Sequence, residues 1–398
     1  MIINRKVKKT RLYKSIMKKF EFYNLTEAAR KEHRKDSKAA LYDDPGGSRA
    51  INEAIEWIVR AQKNSASKDG GVARHYSLHT GWSSSYPETT GYIIPTVLDY
   101  AEKTKNEKLR LKAKKMLDWL CNIQMPNGAF KGGMIDQSPT KPVVFNTGQI
   151  LLGLARGVVD LGENYRKPMI KAADWLVKVQ SSDGCWRKYP SPFTPPGEKT
   201  YDTHVAWGLL EAARVESKKA YALAAVKNVK WTLGLQKSNG WIDKCCLSDR
   251  LQPLTHTMGY ALRGIVEAYR FSQDKEILRG ALRTADGLLE SLKPGGFLPG
   301  RLNSTWEGTV SWTCLTGSVQ IAICWLILYQ ITEDEKYRKA ACEVNRFVRR
   351  TMKPNGAIET RGGIKGSFPV SGGYCPYQYL NWACKFFIDA NMIELSIT

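Results

Sequence analysis

The stretch Trp175-Leu-Val-Lys-Val-Gln180-Ser-Ser-Asp-Gly184-Cys-Trp186 reads as the end of one helix and the turn that leaves it. Asp183-Gly184 supplies residues that tolerate the left-handed backbone in which helices stop. The same construction occurs at Trp119…Gln124…Gly128 and Trp231…Gln236…Gly240, with Gln five and Gly nine residues after Trp. Trp57…Gln62 opens the series, its turn displaced to Asp69-Gly70-Gly71 by the insertion Lys63–Lys68. Gly287 with Gly296, and Phe347 with Gly356, keep the spacing after the aromatic residue or the Gln is lost. Six copies at a period of about 55–60 residues mark a helical repeat array.

Between these helices lies a second set, near Thr89–Ala101, Thr147–Val158, Thr203–Ala213, Met258–Tyr269, Thr316–Tyr329 and Asn381–Ala390. It is apolar on nearly every side, as in Ile150-Leu-Leu-Gly-Leu-Ala, whereas the first set carries a charged face, as in Glu107–Lys115 and Glu335–Arg346. Helices that are apolar all round belong inside, and helices with one polar stripe belong outside. Six alternating pairs predict an all-α (α/α)6 toroid over residues 50–398, one domain, preceded by a basic and partly helical arm at 1–49. Pro95 conflicts locally with this pattern. It removes a helix hydrogen bond, so the first inner helix either starts near Ile94 or is kinked at its mouth.

Composition bounds the function. With 398 residues, 43% hydrophobic, 12 Trp and 18 Tyr, the chain is globular and not disordered. The formal net charge is +22, and residues 1–40 hold 13 Lys/Arg against 4 Asp/Glu. That balance favours anionic partners, and the arm suits an acidic surface: a polyanionic glycan, an anionic membrane surface or nucleic acid. Nucleic acid has charge alone behind it, with no recognised module, so no specific nucleic-acid partner is expected. Nine cysteines without framework spacing predict free thiols and a reducing compartment. The N-terminus lacks the apolar run of a signal peptide, and Val319–Leu328 is too short for a span. These features predict a soluble, cytoplasmic chain with no transmembrane segment. No Gly-rich phosphate loop or dinucleotide fingerprint is present, so no cofactor is expected. His75 and His79 have no carboxylate at ligand spacing, so no metal site is expected.

The turns Gln180-Ser-Ser-Asp-Gly-Cys-Trp186 and Gln236-Lys-Ser-Asn-Gly-Trp241 resemble the repeats of squalene cyclases and protein prenyltransferases. Trp312-Thr-Cys-Leu-Thr-Gly317 also looks like an inner-helix start of the prenyltransferase toroid. The Asp-x-Asp-Asp motif of terpene cyclases is missing, and the pairs Asp183-Gly-Cys185 and Asp243-Lys-Cys245 lie in outer turns, away from where prenyltransferases hold zinc. Tyr86-Pro-Glu-Thr-Thr-Gly-Tyr92, Cys314-Leu-Thr-Gly317 and Gly366-Ser-Phe-Pro…Asn381-Trp-Ala resemble toroid proteins encoded with bacterial exopolysaccharide biosynthesis. This resemblance implies a setting in polysaccharide metabolism, on a fold shared with glycosidases, lyases and sugar epimerases.

Aligned inner-helix starts read Glu88-Thr-Thr-Gly91, Phe145-Asn-Thr-Gly148, Tyr201-Asp-Thr-His204, His256-Thr-Met-Gly259 and Cys314-Leu-Thr-Gly317. The Thr–Gly columns suit capping and close packing, while the first positions vary in chemistry, as a binding site does. Glu88, Asp202, His204, His256 and Glu307 are the catalytic candidates. Helix dipoles converging on one mouth would favour an anionic ligand and hold Glu88 and Asp202 as carboxylates. Trp82, Tyr86, Tyr201, Trp306, Trp312 and Tyr377 are candidate sugar contacts. Asn146, Arg301, Arg361 and Lys365 are candidate polar or anion contacts. Carboxylate pairs serve glycoside hydrolysis, and His with Tyr, Asn or Arg serves β-elimination or C5 epimerisation. The sequence therefore predicts a carbohydrate-active enzyme acting on an anionic oligo- or polysaccharide, hydrolysis ahead of lyase or epimerase chemistry. A non-catalytic glycan-binding or assembly protein, and a terpenoid cyclase or prenyltransferase-like enzyme, are the alternatives.

Overall fold

The computed structural model describes residues 22–353 and 355–397; residues 1–21 of the basic arm lie outside the described residues. After α1 (Glu27–Ser37), the chain alternates outer and inner helices. The outer helices are α2 (Gly47–Lys63), α4 (Glu107–Ile123), α6 (Arg166–Val179), α8 (Lys219–Leu233), α10 (Lys275–Glu290) and α12 (Glu335–Thr351). The inner helices are α3 (Pro87–Thr104), α5 (Val144–Leu161), α7 (Thr203–Glu216), α9 (Thr255–Ser272), α11 (Leu315–Thr332) and α13 (Asn381–Ile397). Each inner helix packs on the next, and α13 returns to α3, so the ring closes. The first outer helix, α2, packs against the last inner helix, α13. The fold is an (α/α)6 toroid.

The Trp…Gln…Gly repeat has a concrete job. Gln180 Nε2 donates to Gly184 O at 3.0 Å, within its own turn, and to Ala224 O at 2.9 Å on the next outer helix. Gln124 does the same with Gly128 and Pro168, and Gln236 with Gly240 and Gly280. The turn glycines approach that next helix so closely that a Cβ on Gly184 would sit 2.7 Å from Lys227 O. With φ of +99° at Gly184, both space and backbone demand glycine there. The outer ring is thus stitched one unit to the next by side-chain-to-backbone bonds.

Inner helices meet through their small residues: a Cβ on Gly91 would lie 2.4 Å from Ile150 Cα. The neighbouring Thr is not a cap but a tie. Thr90 Oγ1 donates to Tyr86 O at 2.8 Å and accepts from Val72 N at 3.0 Å, fixing the preceding loop to the helix start. Thr147 repeats this with Val143 O and Phe130 N. The first inner helix does not start near Ile94. It begins at Pro87, favoured in a first turn where N–H groups lack partners anyway, and runs through Pro95. The Gly91 carbonyl opposite Pro95 lies against Gly153, where any Cβ would meet it at 2.3 Å.

Short antiparallel strands bind the mouth loops. β1 (His75–Ser77) pairs with β2 (Gly81–Trp82) and with β5 (Gln378–Leu380), Tyr76 standing opposite Trp82 and Tyr379. β3 (Thr313–Cys314) pairs with β4 (Ser367–Phe368). α11 is apolar and long enough to cross a membrane, but its residues from Leu315 to Leu328 are buried inside the ring. All nine cysteines are free.

Candidate active site

The starts of four inner helices, α3, α5, α9 and α13, and the 3-10 turn before α7 contribute to one cavity of about 210 Å³. Its walls include Tyr86, Phe145, Phe193, Tyr201, Tyr260, Tyr374 and Trp382, and its ionisable lining includes Arg74, Glu88 and His256. Glu88 is the only carboxylic acid among the described lining residues.

Glu88 is buried, and its Oε2 accepts from Tyr86 Oη at 2.5 Å. Burial pushes its carboxyl up to about 7, against the lowering effects of the Tyr86 hydrogen bond and the Arg74 charge. This reverses the sequence expectation of a stabilised carboxylate. A rise from 4.5 to about 7 corresponds to about 3 kcal/mol, whereas a helix dipole supplies about 0.3–1 kcal/mol. Desolvation wins because the side chain points into the packed ring and not into solvent.

His256 has Nδ1 2.7 Å from Gln320 Oε1. The amide oxygen can only accept, so Nδ1 carries the proton and Nε2 is left as an acceptor. Burial holds His256 down at about 4, so it is neutral at neutral pH. Tyr260 lies between two histidines, 4.5 Å from the His256 ring and 4.6 Å from the His204 ring. His204, in the first turn of α7, is fully buried and is not among the cavity's lining residues; its Nδ1 lies 2.5 Å from Gln149 Oε1, and burial pushes its pKa well below the usual range.

Asp202 sits in a short 3-10 turn before α7 and makes no capping bond to that helix. Its side chain lines a smaller adjoining cavity that shares Phe145, Ser191 and Tyr201 with the first. Burial pushes it up to about 8, with Lys199 opposing, so here too the dipole expectation is reversed. Asn146 is fully buried between the helices, and neither polar atom of its side chain has a hydrogen-bond partner.

The remaining candidates lie elsewhere. Glu307 is exposed on its loop, accepting from Asn303 Nδ2 at 2.8 Å, and with Trp306 lines a separate open groove. Trp306 itself is buried, donating from Nε1 to Asn239 O at 2.9 Å. Arg301 donates to Gln252 O at 2.6 Å. Trp312 covers Gly300 and Gly373, and Trp82 lies against Trp57 and Tyr76. Arg361 pairs with Glu53 at 3.4 Å. Lys365 is buried, its ammonium 3.0 Å from Glu32 and 2.7 Å from Asp36 of α1, so it anchors the arm helix instead of facing the mouth. Tyr377 Oη lies 2.8 Å from His33 Nδ1, also on α1.

Arg74, Tyr260, Tyr374 and Trp382 line the cavity without being among the residues the sequence points to. Trp382 stands in the Asn381-Trp-Ala phrase, outside the aligned helix-start columns. Tyr260 stands in the first turn after the aligned columns. Arg74 and Tyr374 sit in loops without a repeated neighbour, so no spacing signals them.

No protein-family model matches the chain, and neither does any curated protein. Solved structures do resemble it. An unsaturated glucuronyl hydrolase specific for heparin superposes with a TM-score of 0.71 at 16% identity, over 88% of this chain and 97% of that one. Cellobiose 2-epimerase from Bacillus thermoamylovorans gives 0.67 at 12% identity, over 92% and 98%. A D-mannose isomerase gives 0.69 at 12% identity, over 88% and 97%. At such identities these likenesses establish the fold alone.

Proposed function

We propose that this protein is a carbohydrate-active enzyme that works on an anionic glycan at the inner-helix mouth, with hydrolysis as the leading reaction. The observation that carries this reading is Glu88: a buried carboxyl held near neutrality, facing an aromatic cavity beside a neutral histidine. A carboxyl with that pKa holds a proton near pH 7 and can deliver it to a glycosidic oxygen. The rings of Tyr86, Tyr260, Tyr374 and Trp382 offer apolar faces for a pyranose. Nε2 of His256 is placed to accept from a water or a sugar hydroxyl. Asp202, across the shared wall of Phe145 and Tyr201, is the second carboxyl of the hydrolytic pair; raised to about 8, it activates water through its ionised fraction, which grows with pH. Two of the three structural relatives described above are named for isomerising sugars and one for hydrolysing a uronate-containing substrate, which supports sugar chemistry on this scaffold by analogy.

One observation favours a second reading. The main cavity holds one carboxyl and one histidine among its described lining residues, the equipment for proton transfer at a sugar carbon, as in elimination or epimerisation. A cavity of about 210 Å³ with an arginine and a glutamate suits a sugar ring better than a polyprenyl chain, which sets the terpenoid reading behind both. The setting in exopolysaccharide or capsule metabolism, in the cytoplasm, rests on the sequence resemblance and on the cysteine usage. In this reading residues 50–398 are the catalytic toroid and the basic arm meets an acidic surface.

Incubation with uronate-rich polysaccharides separates the chemistries. New reducing ends without absorbance from unsaturated products mean hydrolysis, both together mean elimination, and solvent deuterium in an uncleaved sugar means epimerisation. Binding without any of the three, surviving Glu88→Gln and Asp202→Asn, would make the protein a glycan-binding module.

A further inference from the structure

We infer that Arg74 is a receptor for the carboxylate of a single acidic sugar, so that the residue occupying the cavity is itself a uronate at a chain end. This deepens the reading above and rests on it. Arg74 lies in the loop after Gly70-Gly71, just before β1, and its side chain forms part of the cavity wall. Among the described residues it is absent from every ion pair. Its Nε is buried with no hydrogen-bond partner, and the guanidinium's other polar contacts are to neutral groups, His75 Nδ1 at 3.1 Å from Nη1 and the Cys375 thiol, whose pKa burial raises. Aromatic rings hold the guanidinium instead: Trp382 at 4.9 Å, Phe193 at 5.7 Å and Tyr86 at 5.8 Å from Cζ. A buried guanidinium without a counter-ion is costly unless a ligand supplies one.

The ligand's class follows from what surrounds Arg74. It is the only arginine or lysine among the described lining residues, and Glu88 shares the cavity with it. One cation beside an acid suits a monoanion and disfavours a phosphate dianion. A planar guanidinium fork matches a planar carboxylate in two parallel hydrogen bonds. The volume of about 210 Å³ falls below the roughly 300 Å³ at which drug-sized ligands begin to fit. It accommodates one ring, with the rest of a chain outside. Because Arg74 and Glu88 line the same small space, the acidic sugar is the one processed and not a neighbour read at a distance.

The test is calorimetric titration of the full chain with D-glucuronate, D-galacturonate and D-mannuronate, each against its neutral parent hexose, and with glucose 6-sulfate. Wild type should bind at least one uronate on the order of tenfold to a hundredfold more tightly than its neutral parent, the span expected for a charged hydrogen bond. Arg74→Met should abolish that preference while keeping neutral-sugar binding, which also shows that the variant is folded. Arg74→Lys should keep part of it, as a point charge without the fork. Equal binding of acidic and neutral sugars by wild type, or a preference that survives Arg74→Met, would overturn the inference and leave the sugar site standing. Tighter binding of the sulfate would overturn the assignment to a carboxylate. Failure of every sugar to bind would remove the functional reading and this inference with it.

Discussion

Replacing Glu88 by Gln should stabilise the protein in alkaline solution and not in acid. The folded-state carboxyl is raised from 4.5 to about 7. The native state therefore keeps its proton to higher pH than the unfolded chain does. The associated stability is complete below about pH 4.5 and is lost as pH climbs through about 7. The full loss is about 3 kcal/mol, from 2.5 pH units at 1.36 kcal/mol each. Roughly three quarters of it develops between pH 5 and pH 8.5. For a chain of 398 residues, an unfolding entropy of about 2.1 cal/mol/K per residue converts this to about 3 °C. Gln is close in shape, cannot ionise, and can still accept from Tyr86. Scanning calorimetry of wild type and Glu88→Gln at both pH values reads the effect as a difference of differences in Tm. The variant should gain about 3 °C on wild type between pH 5 and pH 8.5. A gap that does not change with pH would refute burial as the dominant force on Glu88. A variant that loses ground as pH rises would mean a stabilised carboxylate, as helix dipoles alone would have it.

Other consequences are equally direct. Asp202→Asn should show the same pH signature, since its carboxyl is raised from 3.8 to about 8. Gln320→Glu places a carboxylate against Nδ1 of His256 and should raise that histidine from about 4 by about 1–3 units, read from its ring resonances in an NMR titration. Gly184→Ala forces a Cβ to 2.7 Å from Lys227 O at a φ of +99° and should cost about 1–3 kcal/mol in denaturant melts. Lys365→Met leaves the buried Asp36 without its ion-pair partner and Glu32 with only Lys353 at 3.6 Å; a loss of about 3–5 kcal/mol and faster proteolysis between Ser37 and Gly47 are expected.

The ring was legible in the sequence because its construction repeats. Gln180 bonds within its own turn and to the next outer helix, and Gly184 fits only at that close approach, so the job itself demands a fixed spacing; four Trp…Gln pairs with the Gly spacing that continues after them count the six units. The mouth was legible in part. Glu88, Tyr86, Tyr201 and His256 stand at aligned helix starts, which locates them even though their chemistry differs. Arg74 and Tyr374 come from loops whose course depends on strand pairing between residues about 300 apart, such as His75 with Leu380, and no local pattern encodes that. The charge state of Glu88 was misjudged for a related reason. The dipole is a property of the helix and can be read locally, whereas desolvation depends on every element that closes over the side chain. Lys365 is misplaced for the same reason: a loop lysine reads as an anion contact at the mouth until α1 delivers two carboxylates to it.

The most direct test of the account is the initial rate on uronate-bearing oligosaccharides, wild type beside Glu88→Gln, at a pH near 6 where Glu88 still holds its proton. Wild type should release product measurably and the variant should lose at least about a hundredfold in rate, with sugar binding retained. A variant that turns over at the wild-type rate would contradict it.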